Sequence, residues 1–221
     1  MRVTLVGLTK PSAYTGCNTA EELVAYCARV SNPKNQANHQ TGPKLVRHLL
    51  EEGHWSPLEM VNISMEIETT RDIARQILRH RSFSFQEFSQ RYAKATNFEL
   101  RDARLQDKKN RQNSIQTDDK TLKEEWQIRQ AKLLQAVEEE YNWALSMGIA
   151  KEQARAVLPE GMTVSTLYMN GTLRSWVHFC GLRKAYGTQL EHTEIANKCW
   201  DIISEHFPYV GEACNELWQK S

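Results

Sequence analysis

Apolar and polar residues alternate in two stretches of the chain, which is the pattern of a β-strand with one buried face. The first covers residues 2–8, where Val3, Leu5 and, less regularly, Gly7 occupy alternate positions. The second covers residues 61–68, where every second side chain is apolar. Residues 162–169 are rich in threonine, valine and tyrosine, which favour extended backbone, and residues 84–92 form a further extended run. The chain is therefore expected to contain strands that lie far apart in sequence.

Helical spacing of apolar side chains predicts most of the other elements. Thr19 and the acids that follow it form a helix cap, and Gly53, Gly148 and Pro159 each end a helical pattern. We expect helices at residues 20–28, 45–50, 71–80, 119–147, 150–158 and within 170–183, and then two closing helices, one through Phe207 and one to the C-terminus.

Residues 97–119 interrupt this pattern, because they are polar, charged and without periodicity. Loops of this length inside a compact domain are usually functional lids or disordered segments. The sequence therefore predicts a mobile polar loop at residues 97–119.

The overall charge is close to neutral, but it is unevenly distributed. The 221 residues carry a formal net charge of +1, with 40% hydrophobic and 25% charged residues, as in ordinary globular proteins. This balance argues against a protein that coats nucleic acid. Residues 71–94 nevertheless hold six basic residues against two acids. Such a local excess suits a small anionic ligand better than a long polyanion.

The five cysteines are odd in number and show no Cys-x-x-Cys spacing. With no apolar segment long enough to span a membrane, they indicate a reducing, cytosolic compartment, free thiols and no structural zinc. Cys180 could be a nucleophile, but its apolar neighbours Phe179 and Leu182 favour a buried, inert thiol.

Residues 79–92 are the densest group of hydrogen-bonding side chains in the chain, with three arginines, a histidine and Glu87. Guanidinium groups bind phosphate or a pyrimidine edge in a bidentate manner, and a carboxylate can accept from a sugar hydroxyl. In the preceding helix, His80 is expected on the core side. Gln76 and Arg79 are three residues apart, so their side chains are expected to lie next to each other on the helix surface. A solvated basic helix end is the alternative interpretation.

Two other polar groups are candidates for a site. Pro57 makes a turn that is expected to bring His54, Ser56 and Glu59 together, although a histidine in such a turn is often only solvated. Further along, Arg174, His178 and Arg183 fall near one face of a helix, where the alternative is an exposed polar stripe.

The sequence resembles the flavin-dependent thymidylate synthases. Arg79-His80-Arg81, followed after seven residues by Ser89, is similar to the signature of that family. The segments 28–31, 53–59, 155–159 and 174–191 are similar to other family segments and occur in the family's order. The similar segments are thus distributed over most of the chain, except for the polar loop.

The resemblance implies an α/β fold of the α+β type, with an antiparallel sheet flanked by helices in one domain over residues 1–221. It implies a cytoplasmic homotetramer, with active sites shared between subunits and no nucleic-acid or membrane partner. The implied reaction converts dUMP and methylenetetrahydrofolate to dTMP, with FAD carrying reducing equivalents from NADPH and without a cysteine nucleophile. No Gly-x-Gly-x-x-Gly fingerprint is present, so the FAD is not expected in a Rossmann unit.

The resemblance also assigns roles to residues, with no metal ligand among them. The residues implied at the FAD and folate side are His54, Ser56, Arg79, His80, Arg81, Glu87, Thr172, Arg174 and His178. The residues implied at dUMP are Gln76, Arg79, Glu87, Ser89, Gln90, Arg91, Arg155 and Arg183. Arg183 is the catalytic candidate, because a fixed guanidinium favours ionisation of the uracil N3.

Two positions depart from the family's pattern. Gln86 and Thr172 stand where asparagine is frequent, so a flavin contact of Thr172 stays open. The main alternative is a non-enzymatic RNA- or phosphate-binding module built on residues 71–94, and another flavin or nucleotide enzyme is a further one. The near-neutral charge and the lack of an aromatic RNA-binding platform count against the binding module.

Overall fold

The computed structural model of the chain describes residues 1–95 and 97–220. The strands are β1 (Arg2–Leu8), β2 (Asn62–Thr70), β3 (Ser84–Glu87), β4 (Arg104–Gln106), β5 (Ser114–Gln116) and β6 (Val164–Thr172). The helices are α1 (Ala20–Ala28), α2 (Gly42–Glu51), α3 (Arg71–Ile77), α4 (Lys120–Ser146), α5 (Lys151–Ala154), α6 (Leu173–Lys184), α7 (Leu190–His206) and α8 (Pro208–Gln219). Short 3-10 helices lie at Ala13–Thr15, Pro33–Asn35, His39–Thr41, Ser56–Met60 and Arg155–Val157.

One antiparallel sheet has the strand order β1-β2-β6-β3. Met65 in β2 lies opposite Leu5 on one side and Met169 on the other. At the far edge, Ser84 at the start of β3 lies opposite Asn170 near the end of β6. Because α6 follows β6 directly, this register places the turn before β3 beside the first turn of α6.

The hydrophobic core lies on one face of this sheet, against the helices. Ile63, Met65 and Ile67 of β2 are each at most 1% exposed and belong to one cluster with side chains of α3, α6, α7 and α8. On the other face, the Tyr168 hydroxyl donates to Glu66 at 2.9 Å. This one-sided burial confirms the prediction from the alternation in residues 61–68.

Several predicted elements agree closely with the structure. β1 and α1 cover the predicted ranges 2–8 and 20–28. Thr19 accepts a hydrogen bond from the Glu22 N–H at 3.1 Å, and the Glu22 carboxylate accepts from the Thr19 N–H, which completes a capping box. α4 ends before Gly148 as predicted. The α/β architecture, with an antiparallel sheet flanked by helices, is confirmed.

Two helices are shorter than predicted. α3 ends at Ile77 rather than at residue 80, because the N–H groups of Arg79 and His80 bond carbonyls only three residues back, as in a tight turn. The predicted helix at 150–158 consists of α5 and the 3-10 helix Arg155–Val157. Leu158 precedes a proline and is extended, with ψ of 126°, so the helix cannot continue.

Residues 97–119, expected to be a mobile polar loop, contain a β-hairpin. β4 pairs with β5, Leu105 lying opposite Ile115, and Phe98 forms a bridge with Thr163 beside β6. Each hairpin strand has three residues, too few for an alternating pattern to stand out in the sequence. The segment therefore has defined secondary structure, while its mobility stays a prediction.

α4 lies apart from the main core. Its Tyr141 and Ala144 pack with Ala154 of α5 in a small separate cluster. Trp126 is 42% and Trp143 57% exposed, so the helix presents apolar surface. No helix within the described ranges is long and apolar enough to cross a membrane.

Candidate functional site

Three chain segments meet at the edge of the sheet and form the candidate site. They are the end of α3 with the turn that follows it, helix α6, and the start of α7. The Ser175 hydroxyl donates to the Ser82 carbonyl at 3.3 Å and ties the turn to α6. The Thr193 hydroxyl donates to the Arg183 carbonyl at 3.1 Å and ties α7 to the end of α6. The polar side chains of the three segments are thereby brought together.

Arg183 and His80 form the central contact of this group. The Arg183 Nε–H donates to His80 Nε2 at 2.9 Å. Burial and the charge of Arg183 lower the pKa of His80 to about 4, so the ring is a neutral acceptor at neutral pH. Burial and nearby Arg79 lower the pKa of Arg183 from its ordinary value. The guanidinium of Arg183 is thus held by one edge next to a second positive charge.

The ring of His80 faces the protein interior rather than solvent. It meets Phe179 edge to face, with ring centroids 4.9 Å apart, and lies 6.2 Å from the ring of His192. His80 is half-buried, but its contact with buried Phe179 puts the ring on the same side of the segment as buried Ile73 and Ile77, which confirms the expectation that it lies on the core side. In this geometry its side chain can orient Arg183.

Gln76, expected to reach the same spot as Arg79, instead takes part in a polar network of which Glu191 and His192 are buried and the two glutamines half-buried; we call it the buried network. Its Nε2 donates to Gln189 Oε1 at 2.8 Å, and its Oε1 lies 3.3 Å from His192 Nδ1. Gln189 in turn donates to Glu191 at 3.0 Å. The network therefore connects the C-terminal end of α3 to the start of α7.

Glu87, at the end of β3, is held by two donors. Arg71 approaches one carboxylate oxygen at 3.4 Å, and the Ser165 hydroxyl donates to the same oxygen at 2.9 Å. These contacts fix the carboxylate beside the basic segment, while its second oxygen can still accept a hydrogen bond.

Three of the residues implied at the flavin side, Thr172, Arg174 and His178, lie in the first half of α6 or cap its start. Arg174 forms an ion pair with Glu59, and the ring of His178 lies 4.6 Å from that of Trp55. Burial and the charge of Arg174 lower the pKa of His178. Thr172 caps α6, accepting the Ser175 N–H at 3.2 Å, which gives its hydroxyl a structural role.

The turn at residues 53–59 does not show the cluster expected of it. Ser56 begins the 3-10 helix that carries Glu59, and the His54 ring lies edge-on to His48 with centroids 6.3 Å apart. In the part of the chain that the structure describes, no hydrogen bond or ring contact joins His54, Ser56 and Glu59. Glu59 is directed to Arg174 instead.

The basic segment 71–94 is divided between paired and free guanidinium groups. Arg71, Arg75 and Arg91 form ion pairs with carboxylates at 3.0–3.4 Å. Arg79 and Arg81 are exposed, and neither side chain has a hydrogen bond or ion pair within residues 1–95 and 97–220. These two guanidiniums and Arg183 are therefore the donors available for an anionic ligand.

The remaining residues implied at dUMP form a second group. Arg91 donates to Glu152 at 3.2 Å, and Arg155 donates to the Glu152 carbonyl at 3.3 Å. Ser89 accepts the Arg91 N–H at 3.4 Å, and the Nε2 of buried Gln90 has no hydrogen-bond partner among the described residues. Among the contacts of the described residues, none joins this group to His80 or Arg183.

Three residues of the buried network were not singled out by the sequence: Gln189, Glu191 and His192. The available signal was their position, because Glu191 and His192 open a helix whose apolar side continues through Ile195 and Cys199. Glu191 is 6% exposed and His192 is fully buried. A carboxylate and a histidine on the buried side of a helix need partners, which makes such residues candidates for a network.

The structure supports the interpretation of Cys180 as an inert thiol. Cys180 is fully buried in the main core, and burial raises its pKa well above the ordinary value. A thiolate nucleophile is therefore not available at this position. No group of three or more metal-ligating side chains occurs among the residues described.

Comparison with known proteins gave consistent matches. A family model described as thymidylate synthase complementing protein matches residues 13–209. The chain is 48% identical over 217 residues to the probable flavin-dependent thymidylate synthase of Paramecium bursaria Chlorella virus 1, covering 96% of this chain and 98% of the relative. It is also 48% identical over 215 residues to the flavin-dependent thymidylate synthase of Synechocystis sp., covering 96% and 99%.

One solved structure resembles the whole fold. It is the crystal structure of a UMP/dUMP methylase, PolB, from Streptomyces cacaoi bound with 5-Br dUMP. The match has a TM-score of 0.82 at 28% sequence identity and covers 97% of this chain and 94% of that chain. The likeness therefore concerns the complete architecture rather than one motif.

Proposed function

The chain belongs to the family of flavin-dependent thymidylate synthases, and from this premise we propose that its site converts dUMP to dTMP with methylenetetrahydrofolate as carbon donor. As a member of this family, the protein is a flavin-dependent methyltransferase. We further propose FAD as the flavin and NADPH as the reductant. The alternative of an RNA-binding module loses support, because carboxylates of the same chain pair with Arg71, Arg75 and Arg91.

The observation that carries the proposal is the Arg183–His80 contact beside Arg79. A guanidinium held at 2.9 Å by a neutral acceptor has a fixed direction, and the positive charge near it makes the position attractive to an anion. At a bound uracil ring, such a group stabilises negative charge that develops after N3 loses its proton. Arg183 is accordingly the proposed catalytic residue.

The donor set of the site fits a flavin dinucleotide. Arg79 and Arg81 offer free guanidiniums suited to a diphosphate, and the half-buried Trp55 with the exposed His178 offers an aromatic contact surface. Bound FAD, once reduced by NADPH, would supply the hydride to the carbon taken from the folate, so the protein needs positioning and electrostatics more than a nucleophile. The proposed flavin and folate side comprises His54, Ser56, Arg79, His80, Arg81, Glu87, Thr172, Arg174 and His178.

For dUMP, we propose Gln76, Arg79, Glu87, Ser89, Gln90, Arg91, Arg155 and Arg183. Glu87 is placed to accept from a sugar hydroxyl, because Arg71 and Ser165 hold only one of its oxygens. Arg79 can bind phosphate, since no side chain within the described ranges pairs with it. Arg91 and Arg155 form a separate group, which supports a site completed by a second subunit.

We propose a homotetramer, located in the cytoplasm, whose sites combine residues of different subunits. The exposed tryptophans of α4 support an apolar contact between copies. The test mixes two inactive variants, Arg155→Ala and Arg183→Ala. Random subunit exchange should restore up to about a quarter of the sites if the two arginines come from different subunits. No recovery after confirmed exchange would place both in one chain.

The proposed reaction is tested by the visible spectrum of the purified protein and by NADPH oxidation. We expect bound oxidised flavin, released unchanged by denaturation, and NADPH oxidation that accompanies dTMP formation only when dUMP and methylenetetrahydrofolate are both present. A folded protein that takes up no FAD, or that forms no dTMP with both substrates, would contradict the proposal.

A further inference from the structure

The direction of every hydrogen bond in the buried network can be assigned from Glu191. Burial raises the pKa of this carboxyl, but its own backbone N–H, Arg101, Gln189 and Arg104 together hold it below the ordinary value. Arg104 donates to it at 2.6 Å, so the group is an ionised carboxylate that can only accept. The amide of Gln189 must therefore donate to it through Nε2, at 3.0 Å.

The same reasoning continues through the two amides. Because Gln189 donates with its nitrogen to Glu191, its Oε1 faces Gln76 and accepts from Gln76 Nε2 at 2.8 Å. The Oε1 of Gln76 then faces His192 Nδ1 at 3.3 Å, and since a carbonyl oxygen cannot donate, Nδ1 must carry the proton. The network thus selects the Nδ1–H tautomer of a neutral ring.

The surroundings of His192 keep its ring neutral. His192 is fully buried, its Nε2 has no partner among the described residues, and the neighbouring charged or titratable groups are Arg183 and His80. Burial and Arg183 lower its pKa to about 3. A buried ring nitrogen without a partner costs stability, so packing alone does not account for a histidine at this position.

We propose that His192 is a positioning residue of the active site: its Nδ1–H holds Oε1 of Gln76, while Gln189 holds Nε2, so that the Gln76 amide has one fixed orientation. This inference rests on the proposed function for the identity of the ligand. Held in this way, Gln76 keeps one N–H free on Nε2. It would donate that hydrogen to an acceptor of the substrate, such as a carbonyl oxygen of the uracil ring.

The kinetic test compares three variants. His192→Leu removes the donor, His192→Asn keeps a donor near the position of Nδ1, and Ile195→Val is a control that loosens the same buried side of α7. For His192→Leu we expect the KM for dUMP to rise about threefold to tenfold, with kcat within about twofold, because a ground-state contact weakens. His192→Asn should recover most of the affinity, and Ile195→Val should leave KM unchanged.

The decisive comparison repeats His192→Leu in a Gln76→Ala background. If His192 acts only through Gln76, the second substitution should raise the KM no further. A rise of the same size in both backgrounds, or an equal rise for His192→Leu and Ile195→Val, would overturn the proposal.

A second measurement does not depend on activity and still applies if His192→Leu fails to fold. Long-range proton–nitrogen NMR spectra of the labelled wild-type protein should show His192 as the neutral Nδ1–H tautomer from pH 8 down to about pH 5. Gln76→Ala should shift the Nδ1–H resonance or change the tautomer. An Nε2–H tautomer in the wild type would refute the positioning role. A correct tautomer in a protein that does not bind dUMP would refute the proposed function alone.

Discussion

Replacing His80 with phenylalanine tests whether this ring orients Arg183. The phenyl ring can keep the edge-to-face contact with Phe179, whose centroid lies 4.9 Å from that of His80, but it removes the acceptor 2.9 Å from the Arg183 Nε. A hydrogen bond to a charged group contributes about 1.5–3 kcal/mol. Since Arg183 is only partly buried, water can replace part of the contact, and we take the lower end of that range.

About 1.5 kcal/mol corresponds to roughly a tenfold loss. We therefore expect His80→Phe to lower the rate of flavin reoxidation by dUMP and methylenetetrahydrofolate about tenfold in single-turnover experiments. His80→Gln, which keeps an acceptor, should lose only about threefold. The flavin content of both variants, read from the visible spectrum, separates a loss of cofactor from a loss of orientation.

The matched control is the same substitution without Arg183. In an Arg183→Ala background, His80→Phe should have little further effect, because the group that it orients is gone. A His80→Phe variant with the wild-type rate would refute the reasoning. Equal losses from His80→Phe with and without Arg183 would show that His80 acts by another route.

Three further predictions concern stability and the thiol. Burial raises the pKa of Glu21 from 4.5 to about 7, so the folded state binds one more proton than the unfolded state when the pH lies between these two pKa values. The free energy of unfolding therefore falls as the pH rises through this interval. Glu21→Gln should remove this dependence and raise stability above pH 7 by roughly 3 kcal/mol. The same difference in unfolding free energy between wild type and variant at pH 5.5 and pH 8, measured in urea titrations, would contradict this. Cys180→Ala should lose about 1 kcal/mol of stability but retain turnover. If this variant folds and yet loses its single-turnover activity, the thiol has a role in the reaction. A Cβ on Gly171 would lie 2.4 Å from the Phe83 ring, whereas a Cβ on Gly7 would lie 3.6 Å from its nearest atom. Gly171→Ala should therefore destabilise the protein by roughly 1–3 kcal/mol, and Gly7→Ala, the control, should not. Equal melting temperatures of the two variants would be evidence against the close packing at Gly171.

Local patterns predicted the elements whose causes are local. The alternation in residues 61–68 reflects the pleat of β2, and the Thr19 cap with its returning Glu22 marks the start of α1. The hairpin of β4 and β5 was missed because strands of three residues carry almost no periodic signal. Its position depends instead on distant partners, such as Glu191 for Arg104.

The candidate site was predicted only in part, for a related reason. The density of polar groups in residues 79–92 and their resemblance to a family motif indicated a candidate ligand-binding segment, but not what each side chain contacts. The sequence suggested that Gln76 accompanies Arg79, since they are three residues apart. In the structure Gln76 turns to Gln189 and His192.

The sequence by itself determined strands β1 and β2, the extent of α1, the end of α4 and the family, because pleat and helix periods, caps and motif spacing are encoded by residues near one another. The tertiary structure alone decided that Arg183 meets His80, 103 residues away, and that His192 meets Gln76, 116 residues away. It also decided which arginines of the basic segment are paired and which stay free. Such contacts depend on strand register and helix packing, which bring together side chains whose proximity no local sequence pattern indicates.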